Sequence, residues 1–387
     1  MTNFIFLLLV VFFVSACTEQ IKTEDHYILQ PVNEHLEYAI DDDTIIPLFN
    51  LYTFEENGLE YLTFSDSGTR TILIYELLTG ELVKKISYDS EGPNGIGARL
   101  YGYLVKDFGH IYISNINQSR IYETDTTGII RKKIDFSKAE DGLLTVSAYY
   151  TNHDNKQLYF IGDSLYIPQT LNRSIGSDRW IEESPVAVFV DTLSNKVKKF
   201  PMLHPHGEIT SKNYNSYIAD LSYSNIMKDS FFIYSFALDE NLYKTNIQKG
   251  KIEKILAKSR YISNVNPIKL PSELTQLMKK TCEMPSYGNI IYDKYRKVYY
   301  RFVYLKSELK PNEDSRKILH NGKKEFSIMM LDENFKVLGE TRFPAFTYVP
   351  HICFINKDGL YLSTSHFKRE DYSDDVLRFQ RIELVKK

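Results

Sequence analysis

Six times along the chain a polar turn is followed by an aromatic residue with apolar neighbours. The aromatic positions are Tyr61, Tyr112, Tyr166, Phe232, Tyr299 and Tyr361, spaced 51 to 67 residues apart. A self-similar unit of that length matches one four-stranded propeller blade with loop insertions, and such a unit cannot bury its apolar faces alone. The first copy, residues 59–97, shows the pattern most fully. It reads as strands over 59–65, 71–76 and 81–87, with the turns DSGT and LLTG between them and a glycine-rich exit, EGPNGIG. Aromatic residues make up 14% of the chain, with 29 Tyr and 23 Phe, which suits half-buried strands rather than helices.

Each aromatic triplet is preceded by an apolar strand, over 49–54, 102–106, 158–161, 222–227, 289–293 and 351–355. Two further strands follow in each unit. The outer pairs close on LTG, TTG, LSN, QKG and ENF, where Gly and Asn supply the positive φ of tight hairpins. Six units of four strands predict an all-β fold, a six-bladed β-propeller. The last unit ends after 376–384, one strand short, while the β-like stretch 35–40 belongs to no unit. The last blade is therefore expected to be closed by an N-terminal strand, which joins the two ends of the chain and removes exposed sheet edges. A two-sheet sandwich or two separate β domains are the alternatives. The best short helix is 271–282, with a Pro near its start and a Leu274, Leu277, Met278 stripe.

Residues 4–14 form an unbroken apolar run, the length of a signal-peptide core and too short to span a bilayer. The run ends in Val14-Ser15-Ala16-Cys17, small residues before a cysteine. This pattern resembles the lipobox of bacterial lipoproteins, which implies a signal peptide over 1–16 and a lipidated Cys17 with a tether over 17–33, ahead of a propeller over 34–387. An ordinary secretory signal is the alternative, and Met1–Asn3 lacks the usual Lys or Arg. Three Cys exclude a disulfide framework. Cys282 and Cys353 are expected as buried free thiols, with a bond between them as the other possibility.

Residues 14–17, the sixfold repeat and the exit loop Gly92-Pro93-Asn94-Gly95 together resemble the uncharacterised six-bladed propeller lipoproteins typical of Bacteroidetes. The resemblance implies a lipid-anchored protein of the cell envelope, at the outer membrane on its periplasmic or surface side. It carries over no catalytic residue. Asn94 and Gly95 stand where those relatives often have Gly-Glu.

A net charge of −3 and the lack of a basic stripe argue against nucleic acid as a partner. Gly162-Asp163-Ser164-Leu165 spells an esterase motif, but no Asp-x-x-His follows it, and Asp107-Phe108-Gly109 copies a kinase motif without its partner loops. Both fall in expected hairpin turns. His204, His206 and Glu208 form the most metal-like cluster, yet no third His is local, and two solvated imidazoles are the simpler account. No metal or cofactor is expected.

Loops linking consecutive blades, and those between second and third strands, share one face of a propeller. Here they are the long ones: 88–99, 135–155, 201–218, 258–288 and 344–349, with 171–184, 305–324 and 365–375. They hold Arg99, Arg173, Arg179, Trp180, His204, His206 and His366, with His351 just inside. Trp beside Arg makes a surface for stacking and bidentate bonding. This face is the expected ligand site, centred on Trp180 and the His204–His206 loop; loops that merely pack over the channel are the alternative. The charged insertion 305–324 is expected to be mobile or a partner contact. The expected role is a non-catalytic binding or assembly module for a carbohydrate, an anionic small molecule or an envelope protein, with membrane contact through the lipid on Cys17. A hydrolase or lyase working at the channel mouth is the alternative, since fold alone does not decide function.

Overall fold

Four-stranded antiparallel sheets recur six times in the computed structural model. It describes residues 25–387 apart from 45–48, 67, 116, 147–155, 176, 206, 219–220, 248–249, 272, 274 and 324. The signal-peptide region, Cys17 and His206 lie outside the described residues. In five of the sheets the strands follow chain order from the inside outwards, and in the sixth the N-terminal strand is outermost. The six inner strands are Phe49–Glu56, Tyr103–Asp107, Tyr159–Ile161, Tyr223–Lys228, Ser286–Asp293 and Val349–Ile355. All six were expected from the sequence to within a few residues. The architecture is the six-bladed propeller.

The aromatic triplets fall on the second strand of every blade. Those strands are covered on both faces, so they read as apolar runs rather than as clean alternation. Val298–Tyr304 is buried along its whole length. Its side chains divide between two interblade cores. Tyr299 and Val303 pack with Ile226, Ile233 and Leu242 of blade 4, whereas Tyr300 and Phe302 pack with Leu360 and Leu362 of blade 6. Blade 5 is thus held by both neighbours.

An arginine lies within this layer. Arg301 is fully buried in the second strand of blade 5. Its guanidinium donates to Ser235 Oγ at 3.0 Å and to the carbonyls of Ala257 and Asp239 at 2.7 Å and Glu240 at 2.9 Å. It also lies 3.6 Å from the ring centroid of Tyr287. Burial lowers its pKa to about 10, which leaves it charged at neutral pH. Arg301 therefore pins the loop ends of blade 4 to the face of blade 5.

The ring closes through its two ends. Tyr27–Ala39 pairs antiparallel with Val376–Lys386 in blade 6, from Tyr27 opposite Lys386 to Ala39 opposite Val376. The closing strand is longer than the expected 35–40. The register breaks between Pro31 and His35, and the strand is outermost, where a proline's missing N–H costs no ladder bond. Other outer strands carry lysine pairs, Lys84-Lys85, Lys132-Lys133 and Lys198-Lys199, which discourage edge-to-edge pairing.

Hairpins on the short-turn face use local side-chain bonds. Asp293 Oδ1 accepts from Tyr295 N at 2.9 Å, Asp332 Oδ1 from Asn334 N at 2.9 Å, and Asn356 Oδ1 from Asp358 N at 2.8 Å. The first turn places Asn57 and Gly58 at φ 53° and 79°, the left-handed pair of a tight hairpin. The esterase-like motif is such a turn: Gly162 has φ 59°, and Ser164 pairs with Ile161 and Asp191. Asp107 likewise caps its own turn, accepting from Gly109 N at 2.9 Å.

Among the described residues, helix is confined to the opposite face. Helix α1 is Thr275–Glu283 and helix α2 is Ser315–His320, whose N-cap Asp314 accepts from Arg316 N and Lys317 N. Helix α2 lies in the insertion 305–324 and is folded against α1 rather than detached. Cys282, Leu309 and Ile318 form a small core there, with Leu319, Phe346 and Phe367 packed around it. Cys282 and Cys353 are free thiols. Among the described residues no helix is long and apolar enough to cross a membrane.

Candidate functional site

The loops on the long-loop face build a second layer over the blades. Its elements are the short turns Arg173–Ile175 and Tyr214–Ser216, the two-stranded ladder of Tyr217–Ile218 with Ile268–Lys269, and helices α1 and α2. The ladder ties the blade 3–4 connection to the blade 4–5 connection. These loops are long because each must supply its own backbone partners away from the sheets.

Trp180, the single tryptophan of the chain, is half-buried in this layer. Its ring meets Tyr214 edge-on at 5.3 Å. The Arg173 guanidinium lies 5.0 Å from the Trp180 ring and 5.3 Å from the Tyr214 ring, and the Arg173 side chain is exposed. Three bonds fix the position of the Trp180 turn. Ser184 Oγ donates to Trp180 O at 2.6 Å, Asn172 N donates to Ser184 Oγ at 2.8 Å, and Ile181 N donates to Ser211 Oγ at 2.9 Å. The loop after the second strand of blade 3 and the blade 3–4 connection are thus locked together. The result is an exposed cation on two aromatic rings at the surface, which suits stacking and bidentate bonding.

The same connection lines a cleft of about 170 Å3 with Pro205, Glu208 and Ile209, closed on the other side by Leu238, Val265 and Pro267. Its wall is mixed, with Ser222, Asn266 and the carboxylates of Glu208 and Asp239 among the apolar residues.

The other candidate residues are dispersed. Arg179 is exposed next to Trp180, and Arg99 is exposed on the blade 1–2 connection. His204 is buried, its ring edge-on to Tyr223 at 5.3 Å and to Phe236 at 6.2 Å. His366 is buried between Phe346 and Phe367, at 5.3 and 4.8 Å. His351 is buried on the inner strand of blade 6. Burial, helped by the charge of Lys156, lowers the pKa of His204 to about 3. Burial, with Lys368 and Arg369 nearby, lowers that of His366 to about 4. Neither imidazole adds positive charge to the face at neutral pH, so its cationic character rests on the arginines. Among the described residues no group of three or more His, Cys, Asp or Glu is placed to hold a metal ion.

These two histidines set an acid limit on stability. In the unfolded chain an imidazole takes up its proton near pH 6.5. In the native state both stay neutral until pH 4 or below, so the unfolded state binds more protons in between. Their stabilising contribution is complete above pH 6.5 and is lost as pH falls towards 4. At pH 5 each imidazole is expected to cost roughly 2 kcal/mol. Denaturant melts of wild type and of a His204→Phe, His366→Phe variant check this: the wild type should lose more stability between pH 7 and pH 5. Parallel curves would exclude the effect.

Sequence reasoning missed Tyr214 and the cleft. Tyr214 had a signal, an aromatic in the polar stretch Ser211-Lys212-Asn213-Tyr214-Asn215-Ser216. The cleft had none, because three separate segments meet there.

Fold and loop layer define a six-bladed propeller with one elaborated face and one plain one. This chain belongs to the DUF4221 family, a domain of unknown function, whose profile matches residues 27–342. A crystal structure of a DUF4221 member from Bacteroides vulgatus is similar at 25% identity, with a TM-score of 0.83 over 94% of this chain and 100% of that one. A candidate exported protein of Bacteroides fragilis shares the fold at 13% identity and a TM-score of 0.53, over 92% of this chain and 96% of that one. No functionally curated protein matches the chain.

Proposed function

We propose that this chain is a lipid-anchored protein of the cell envelope that binds a sugar-like ligand carrying an anionic group on its long-loop face, without catalysing a reaction. The observation that carries the proposal is the Arg173–Trp180–Tyr214 cluster, an exposed guanidinium over two rings on the long-loop face. Sugar rings offer C–H faces for stacking on aromatic rings, and a carboxylate or sulfate fits the guanidinium fork. An enzyme would need a base aimed at a nucleophile. His204 and His366 are instead packed among aromatic rings.

The test is an immobilised panel of neutral, uronic-acid and sulfated oligosaccharides. The wild type should be retained by acidic members, and Arg173→Ala or Trp180→Ala should weaken retention about tenfold or more, the equivalent of about 1.4 kcal/mol. Binding to none of the panel, or equal binding by the variants, would contradict the proposal.

Export and anchoring rest on the apolar run and Cys17, and a relative of the same fold is a candidate exported protein. Two or more acyl chains on Cys17 would hold the protein at a membrane, at roughly 0.8 kcal/mol per buried CH2. Cys17→Ala should therefore move the protein from the membrane to the soluble fraction or leave its signal uncleaved. A cleaved Cys17→Ala protein that still sediments with membranes would refute the anchor.

A further inference from the structure

We propose that a cavity between blades 4 and 5 is a binding site for a small carboxylate. It has a volume of about 30 Å3 and shares no residue with the Trp180 cluster. Its walls come from the starts of the inner strands Tyr223–Lys228 and Ser286–Asp293 and the ends of the second strands Phe231–Phe236 and Val298–Tyr304. Leu319 of α2 and Lys323 complete the lining. A register break between Tyr287 and Ile290 bends the inner strand of blade 5 at this point. A Cβ on Gly288 would stand 2.7 Å from Tyr304 Cε2, so the tyrosine ring lies flat on the glycine and forms one wall.

Three buried serines face this space, and each accepts from a nitrogen behind it. Ile290 N donates to Ser224 Oγ, Arg301 Nε to Ser235 Oγ and Lys323 Nζ to Ser286 Oγ, all at 3.0 Å. A hydroxyl that accepts in this way keeps its own hydrogen to donate, and the three line one cavity. Two of the donors behind them are cations, which makes those hydroxyls stronger donors. Lys323 is the one charged side chain among the described lining residues, and none of these is a carboxylate. Lys323 itself is anchored on Met284 O at 2.6 Å and is buried. A volume of this size holds about two water-sized groups, the two oxygens of one carboxylate.

Wild-type crystals soaked separately in sodium bromide and sodium acetate test the site. Bromide should give an anomalous peak in contact with the Oγ atoms of Ser224, Ser235 and Ser286, and acetate should place its carboxylate at the same position. In solution, acetate at about ten times its Kd should raise Tm by about 2–4 °C, and Ser224→Ala, Ser286→Ala should abolish the rise. Ordered water alone in the cavity after both soaks would overturn the proposal. So would bromide binding with acetate excluded, or an equal rise in the double variant. Loss of oligosaccharide binding in the Trp180→Ala protein should leave all of these results unchanged, so the two sites can fail separately.

Discussion

Deleting residues up to Ile40 should leave a protein that no longer folds to a stable monomer. The closing strand Tyr27–Ala39 is the outer strand of blade 6, and its loss strips the ladder from Val376–Lys386. It also removes Leu29 and Tyr38, both buried, from two different interblade cores. Tyr38 OH donates to Leu77 O at 2.6 Å, and Ala39 O accepts from Tyr75 OH at 2.6 Å, so blade 1 loses partners as well. Burial of two or three such side chains contributes roughly 5 kcal/mol, before the cost of the freed carbonyl and hydroxyl groups. That is comparable to the whole stability of many domains. The measurement is a denaturant melt with sedimentation analysis. The truncated chain should be unfolded or associated through its open edge, whereas an unchanged midpoint would mean that the ring does not depend on this strand.

Arg301→Leu is the second large effect. The substitution fills part of the space but takes the Arg301 donor from the carbonyls of Asp239, Glu240 and Ala257; the Ala257 bond is buried, and Glu240 O still accepts from Ala257 N at 3.1 Å. A stranded polar group of this kind costs about 1–3 kcal/mol, so a loss of roughly 3 kcal/mol is expected. Arg301→Lys keeps the charge but has a single nitrogen, and cannot reach Ser235 and three carbonyls from one position. It should recover less than half of the loss. A Leu variant within about 1 kcal/mol of wild type would show that the carbonyls find other donors, and the pin would not be one.

The repeat was legible because both faces of every second strand are buried. A propeller needs an apolar triplet at each such place, and no insertion in a loop can erase it. The start of the closing strand was not legible. Gln30-Pro31-Val32-Asn33-Glu34 carries no alternation, because the register breaks there and an outermost strand has one wet side. Arg301 gave a faint signal, a lone arginine within Val298-Tyr299-Tyr300-Arg301-Phe302. Its carbonyl partners are backbone atoms from blade 4, which no side-chain pattern announces. The position of His204 was written more plainly. Phe200, Met202 and His204 are buried, while Pro201 and Leu203 are exposed, so the period of two continues past the outer strand Val197–Lys199. Proline and glycine nearby make the stretch look like a loop, but its alternation turns the imidazole inward. The long loops were recognisable by length. Their folding against each other was not, since Trp180 meets Tyr214 and α1 meets α2 through contacts between distant segments.

The single tryptophan gives a direct test of the loop face as the binding surface. Every change in intrinsic tryptophan emission must come from Trp180, which is half-buried beneath the Arg173 guanidinium. Titration with an acidic oligosaccharide retained in the panel, followed in parallel by calorimetry, should give a saturable emission change with the same Kd by both methods. Arg173→Ala should weaken both together. Heat of binding with unchanged Trp180 emission would place the ligand elsewhere and contradict the assignment of this face.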